Sequence, residues 1–311
     1  MATGHLLDLA DYRHLIDLDQ PFHPIADPAP APRLGALARS ALDLLQADPA
    51  AKQLSPHGHA AQLADADARR LLRALMAVRE PGPLARQAAA ALDALLGGER
   101  ITRAAVAASA LPSIAEQIPH TAYPAAAHTA LWRGDITTLA ADAIVNAANS
   151  ALLGCFRPLH PCVDNAIHSA AGPRLRDDCA LIMARQVRPE PTGTAKITRG
   201  YHLPARYVLH TVGPVVDGPL RPGHAADLAA CYRTCLDLAA AVGGIRTVAF
   251  CAISTGVFGY PKASAARVAL RTVADWLSSH PGHPQKVVFT VYGAGDDAVY
   301  QQALTAWEQP S

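Results

Sequence analysis

Four short β-branched runs, Asp142-Ala-Ile-Val-Asn146, Tyr207-Val-Leu-His-Thr-Val212, Thr247-Val-Ala-Phe-Cys251 and Lys286-Val-Val-Phe-Thr-Val291, alternate with stretches of helical periodicity at 163–185, 225–242, 262–279 and 296–307. Apolar runs of this kind belong to strands buried on both faces, and a helix between successive strands is the mark of parallel pairing. The pattern predicts an α/β domain built on a largely parallel sheet. Ligands of such folds bind where the loops gather, at the carboxyl ends of the strands. Two groups of unusual residues fall there: Asn146-Ala-Ala-Asn149 after the first run and Ser254 to Tyr260 after the third.

The first half of the chain has a different texture. Five prolines between Gln20 and Arg33 suit an extended linker. Leu34 to Leu45, Ala68 to Val78 and Pro83 to Leu96 then carry apolar residues at helical intervals, separated by Pro or Gly. Leu71, Leu72, Leu75 and Met76 line the packing face of the second block. The expected organisation is a tail and proline-rich linker over 1–33, a helical extension over 34–126 and the α/β domain over 127–311.

With 311 residues, half of them apolar, the chain can bury a core without covalent staples. Its 27 Lys and Arg balance 26 Asp and Glu, which leaves no field to draw nucleic acid or an acidic membrane surface. Asp8, Asp11, Asp17 and Asp19 interrupt the leucines of the N-terminus, and no uncharged apolar run approaches the roughly 20 residues a bilayer span needs. A cytoplasmic protein is expected, with no membrane and no nucleic acid partner. Six cysteines are too few for a disulfide scaffold, so in a reducing compartment a close Cys/His cluster points to metal.

Such a cluster lies in Leu152-Leu-Gly-Cys-Phe-Arg-Pro-Leu-His-Pro-Cys162, where Cys155, His160 and Cys162 offer two thiolates and an imidazole, the donors zinc prefers. Pro158 and Pro161 restrict the loop. Three protein ligands with an open fourth position are the pattern of a catalytic zinc, although the spacing alone also fits packing cysteines beside a chance histidine. Val163, Ala166, Ile167, Ala170 and Ala171 recur at helical intervals immediately after, putting Asp164 and Asn165 in a first turn. Asp164 there either complements the helix dipole or positions a water or substrate hydroxyl. His168 is expected to be a packed or surface histidine rather than a metal ligand.

Ser254-Thr-Gly-Val-Phe-Gly-Tyr-Pro261 precedes a helix and suits a phosphate cradle. It lacks the lysine of a P-loop and the spacing of a dinucleotide fingerprint, which disfavours an NTPase or an NAD-dependent dehydrogenase. Gly134-Asp-Ile-Thr137 offers a carboxylate for an exocyclic amine, or an ordinary turn cap. The amides of Asn146 and Asn149 bracket two small residues, a spacing that admits a sugar closely.

In order, Gly134-Asp-Ile-Thr137, Asp142 to Ser150, Leu152 to Phe156, His160, Cys162, Asp164-Asn-Ala-Ile-His168, Tyr207 to Pro214 and Ser254 to Gly259 make the chain resemble the zinc-dependent branch of the macrodomain family, protein ADP-ribosyl hydrolases. Other macrodomains carry a glycine-rich run between Leu-Leu-Gly and Val-Asp, replaced here by the Cys/His loop. The resemblance implies a three-layer α/β/α sandwich with a mixed central sheet, preceded by a helical N-terminal extension. It implies that Asp135 binds adenine with Ile136 as a neighbouring backbone contact, and that Tyr292 stacks near the base. On the same pattern Ser254, Thr255, Gly256, Val257 and Phe258 form the diphosphate loop, Asn149 and Asp164 are the catalytic residues beside the distal ribose, and Cys155, His160 and Cys162 hold one zinc ion. The implied activity is glycosidase-type hydrolysis of the bond between the distal ribose of ADP-ribose and a protein side chain. The alternatives are a non-catalytic ADP-ribose-binding module and an O-acetyl-ADP-ribose deacetylase. Implied partners are an ADP-ribosylated protein, in some members a lipoyl carrier, and a companion ADP-ribosyltransferase. Arg199 departs from the pattern, which has proline there, in what reads as a connecting segment.

Overall fold

The computed structural model describes residues 5–51 and 60–307; the ends of the expected tail and α/β domain, and a stretch of the expected helical extension, lie outside them. Helices α1 (Leu9–Tyr12), α2 (Leu34–Gln46), α3 (Asp65–Val78) and α4 (Arg86–Thr102) come first. Then follow β1 (Val106–Ala107), α5 (Ile114–Gln117), β2 (Thr129–Arg133), β3 (Leu139–Ala140) and β4 (Ala143–Ala148). The chain continues through α6 (Val163–Ala171), α7 (Pro173–Gln186), β5 (Ala195–Arg199), β6 (Tyr207–Val212) and α8 (Pro222–Val242). It closes with β7 (Thr247–Phe250), α9 (Lys262–Ser279), β8 (Lys286–Val291) and α10 (Ala294–Thr305). Among the described residues no helix is long and apolar enough to cross a membrane.

The chain divides into two compact units, and the division does not fall at residue 126. The first joins the described part of Met1–Ala105 to Ala151–Arg188 and Thr198–Pro204; the second comprises Val106–Ser150, Pro189–Ile197 and the described part of Ala205–Ser311.

In the first unit α2 packs against α3 and α4, and α3 against α6. Ala41, Leu42, Leu45, Leu72 and Leu95 are fully buried in its core, each contributing about 1.5–3 kcal/mol if large and apolar. The N-terminal tail is part of this packing: Leu7, Tyr12, Ile16 and Leu18 are buried. The proline-rich segment is extended, as its composition predicts, but it is tied along α4, with Ile25 N–H donating to Asp93 (2.8 Å) and Ala29 N–H to the Ala94 carbonyl (2.9 Å). The single helix expected over 163–185 is broken at Gly172, whose φ of +92° ends α6 and lets Pro173 open α7.

The second unit is built on a six-stranded sheet in the order β2-β8-β7-β4-β6-β5. The first four neighbouring pairs are parallel. A connection of seven residues from β5 to β6 is too short for a parallel crossover, so β5 runs antiparallel and the sheet is mixed. Gly193 N–H bonded to the Val212 carbonyl (2.9 Å), and Thr211 Oγ1 to the Thr194 carbonyl (2.8 Å), fit that sense. Ile144, Val145, Val208, Leu209, Val248 and Val288 are fully buried, as the unalternated runs require. Helices α8, α9 and α10 pack on one another, with α8 against β6 and α10 against β2 and β8. The strands β2 and β5, absent from the sequence reading, complete the sheet at its two edges. Arg199 stands at the end of the edge strand β5, not in the connecting segment that the sequence suggests.

Topology sets the place for a ligand. From β7 the chain turns through α9 to β8 on one side, and from β4 it runs through α6 and α7 to β5 and β6 on the other. The connections therefore part between β7 and β4, the switch point at which crevices form. The strands themselves separate there. β4 pairs with β7 only through Ala143↔Val248 and Ile144↔Ala249, but stays paired with β6 as far as Ala148↔Val212. At the closed end Asp142 Oδ2 accepts from Arg246 N–H (2.8 Å), Thr247 N–H (2.9 Å) and Thr247 Oγ1 (3.0 Å), clamping the pair.

Candidate active site

Because β2, β8, β7 and β4 are parallel and adjacent, the segments that follow them share one edge of the sheet. That edge carries, in order, Asp135, Tyr292, Ser254 to Phe258 and Asn149. Asp135 Oδ1 accepts from Thr137 N–H (2.9 Å) and Thr137 Oγ1 (2.8 Å), so the turn-cap role expected as the ordinary alternative is fulfilled. Both bonds fall on one carboxylate oxygen. Ile136 is buried, and Tyr292 is 82% exposed with its ring free of core packing.

The segment after β7 has the geometry of a cradle. Ser254 adopts φ +64°, a left-handed conformation uncommon outside glycine. Its carbonyl accepts from Tyr260 N–H (3.0 Å), closing the loop, and Gly259 N–H donates to the Gly256 carbonyl (3.0 Å). The loop is propped from the segment after β6 by Val216 N–H donating to the Phe258 carbonyl (2.8 Å). Ser254 Oγ is buried with no hydrogen-bond partner among the described residues. Val257 projects 70% exposed. Beneath the crevice, Asn146 Nδ2 lies 3.2 Å from His210 Nδ1, and complete burial pushes His210 down to about 3, so the ring is neutral.

Cys155, His160, Cys162 and Asp164 belong to the first unit. The ligand atoms of the first three lie within 4.8 Å of one another, and all three residues are half-buried. Cys155 Sγ to His160 Nδ1 is 3.4 Å, close to the edge of about 3.5 Å in a tetrahedron whose bonds have zinc lengths. Burial pushes the Cys162 thiol up to about 12, and Cys155 and Asp164 add to the shift. The Cys162 thiol so placed resists ionisation until a cation joins it, and a bound divalent ion reverses that balance. Donor type and spacing therefore fit zinc.

The loop that holds these donors is over-determined. Leu152, Phe156 and Leu159 adopt φ of +58°, +49° and +55°, each costing about 1–2 kcal/mol for a residue with a β-carbon. Asn165 Nδ2 offsets part of this by donating to the carbonyls of Arg157 (3.2 Å) and His160 (3.0 Å), while its N–H donates to Cys162 Sγ (3.4 Å). Cys162 is thus the N-cap of α6. Asp164, in the first turn, is buried, and His168 one turn on places Nε2 3.4 Å from Asp164 Oδ1. Of the two places expected for His168 it takes the packed one, as the carboxylate's neighbour. Arg176 was not singled out in the sequence: its partners are backbone carbonyls about a hundred residues away, for which no local pattern exists.

Comparison with known proteins identifies the family and its fold. The sequence family described as Macro domain matches residues 145–269. Over 175 residues the chain is 51% identical to the Protein-ADP-ribose hydrolase of Treponema medium, covering 56% of this chain and 66% of that protein. It is 50% identical, also over 175 residues, to the protein of the same name from Staphylococcus aureus strain MSSA476, covering 56% and 65%. The crystal structure of the Trypanosoma brucei macrodomain in complex with ADP-ribose superposes with a TM-score of 0.55 at 38% identity, over 65% of this chain and 77% of that one. The chain belongs to the macrodomain family and has its α/β fold with a mixed sheet. It spans about two thirds of the length of the curated relatives it matches.

Proposed function

We propose that the protein is a zinc-dependent protein-ADP-ribose hydrolase, cleaving the bond between the distal ribose and a modified protein side chain. The observation that carries this reading is the cluster of two thiols and an imidazole within 4.8 Å, in a macrodomain chain, six residues after Asn149. A module that only bound ADP-ribose would need no Lewis acid at the scissile end. About 50% identity to proteins named as protein-ADP-ribose hydrolases supports it.

In this reading Asp135, Ile136 and Tyr292 hold the adenine end, and the backbone N–H groups of Ser254 to Phe258 hold the diphosphate ahead of α9. Fixing the diphosphate converts remote binding energy into orientation of the anomeric carbon. Asn149 bonds the distal ribose, and Asp164 positions the attacking water and takes its proton. A zinc ion on Cys155, His160 and Cys162 would supply Lewis-acid stabilisation of charge at the ribose. The modified protein is the partner this activity requires, and a lipoyl carrier with a companion transferase is the proposed instance.

Release of ADP-ribose from a mono-ADP-ribosylated protein, followed together with bound metal, tests the reading. Cys162→Ala is expected to lose zinc and activity together, and Asp164→Ala to keep zinc while kcat falls about 100-fold or more. Full hydrolysis by metal-free protein would sink the zinc assignment; tight ADP-ribose binding without any release would favour the binding module.

A further inference from the structure

Three bulky residues in left-handed conformations within eight positions persist only where the surroundings hold them. Asn165 restrains the second half of the metal loop, from Arg157 to Cys162. The first half is held by Arg176 of α7, which is 5% exposed. Its Nε donates to the Leu153 carbonyl (2.7 Å), and its guanidinium lies 4.6 Å over the Phe156 ring. The other arm reaches the end of α3. Nη1 donates to the carbonyls of Met76 (2.8 Å) and Arg79, and Nη2 to that of Ala77 (3.0 Å).

These are the carbonyls that a helix C-terminus leaves without partners, and a cation there also complements the helix dipole. Gly154 permits the approach from the loop side: a β-carbon on it would stand 3.1 Å from Nη2. One planar group thus satisfies four carbonyls drawn from two segments separated by more than seventy residues. Lysine, a point charge without the fork, cannot do the same.

We propose that Arg176 is a positioning residue for the metal loop, fixing Leu153 to Phe156 against the C-terminus of α3 so that the N-terminal helices set the spacing of Cys155, His160 and Cys162. The inference rests on the zinc reading for its consequence and on the loop geometry for its cause, and the two are tested separately.

Zinc alone is titrated into the full chain and into Arg176→Met and Arg176→Lys against a chromophoric chelator. Cobalt(II) absorption is recorded on each, and amide hydrogen exchange over 152–162 is followed in metal-free protein. With far-UV dichroism unchanged, both variants should bind zinc about ten- to a hundredfold more weakly. They should also alter the thiolate-to-cobalt charge-transfer band and exchange the 152–162 amides faster. Folded variants with unaltered zinc affinity, cobalt spectrum and exchange overturn the proposal. Should the parent chain bind no zinc, the metal reading fails, and exchange alone decides: faster loop exchange upholds the positioning role and equal rates overturn it. If the methionine variant does not fold, the lysine variant, which keeps the charge, decides in the same way.

Discussion

Asp178 is a carboxyl held at odds with its surroundings. Burial pushes it up to about 7, against the Tyr201 hydroxyl donating to Oδ2 (2.5 Å) and Arg199 Nε at 3.8 Å, with Asp177 and Asp17 adding to the rise. Arg199 Nη2 also donates to the Tyr201 hydroxyl (3.0 Å), so this arginine has definite partners. The folded pKa lies above the ordinary value of about 3.9, so the native state holds the proton more tightly than the unfolded chain. This contribution to stability is full below about pH 4 and is lost as pH rises through 7. The urea midpoint of the parent chain should carry this loss between about pH 4 and 7, and Asp178→Asn should remove it. Parallel pH profiles for the two proteins would show that Asp178 ionises as an exposed carboxyl does. Sequence could name Arg199 as unusual and Tyr201 is only two residues on, but the carboxylate that both meet, Asp178, comes from α7, twenty-one residues earlier in the chain, and no local pattern suggests it.

At the scale of elements, helix α4 shows how a local rule can be correct in chemistry and wrong in outcome. Gly97-Gly98 reads as a break, which places the helix end at Leu96; the helix instead continues to Thr102. The glycines are there for the proline-rich segment. A β-carbon on Gly98 would stand 2.3 Å from the Ala29 carbonyl oxygen, whereas one on Gly97 would stand 3.1 Å from the Pro28 ring. The segment is further held by Phe22, whose ring meets Tyr201 and His202 edge-on at 5.0 and 5.1 Å. Gly98→Ala gains about 1 kcal/mol of helix propensity but forces backbone apart, an overpacking cost of about 1–3 kcal/mol. It should lower or leave flat the urea stability and speed proteolysis within residues 20–33, while Gly97→Ala, facing only a ring edge, should do neither. Equal stabilisation by both would mean that the segment is not docked on α4. By contrast, the four strand runs and three of the helices after them were legible, because burial on both faces of a sheet writes itself into local composition. Gly172 went unread because the apolar period continues on both sides of it, although Gly172-Pro173 is itself a break signal, and the positive φ shows that the break is made.

The largest difference from the sequence reading concerns which parts of the whole molecule fold together. Texture changes near residue 126 and suggests a helical extension joined to an independent domain, yet the Cys/His loop, α6 and α7 fold with the N-terminal helices in the first unit. The contacts are specific. Arg176 takes the α3 carbonyls, Arg174 pairs with Asp93 on α4, His202 Nε2 lies 3.0 Å from Asp93 Oδ1, and Gln186 Oε1 accepts from Leu7 N–H (3.2 Å). These partners hold Asp93 down at about 2, so it is charged throughout the neutral range. A chain beginning at residue 127 would leave Arg174, Arg176 and His202 without their buried partners, and losing one partner of a buried ion pair alone costs about 3–5 kcal/mol. The strand-end loops that carry Asp135, Ser254 to Phe258 and Tyr292 lie in the other unit and keep their own hydrogen bonds. The expected result is therefore a truncated protein that retains sheet-rich far-UV dichroism but loses cooperative unfolding, near-UV dichroism and zinc affinity. A chain from residue 127 that unfolds cooperatively and binds zinc as the parent does would restore the boundary at 126 and remove the N-terminal helices from any part in the site.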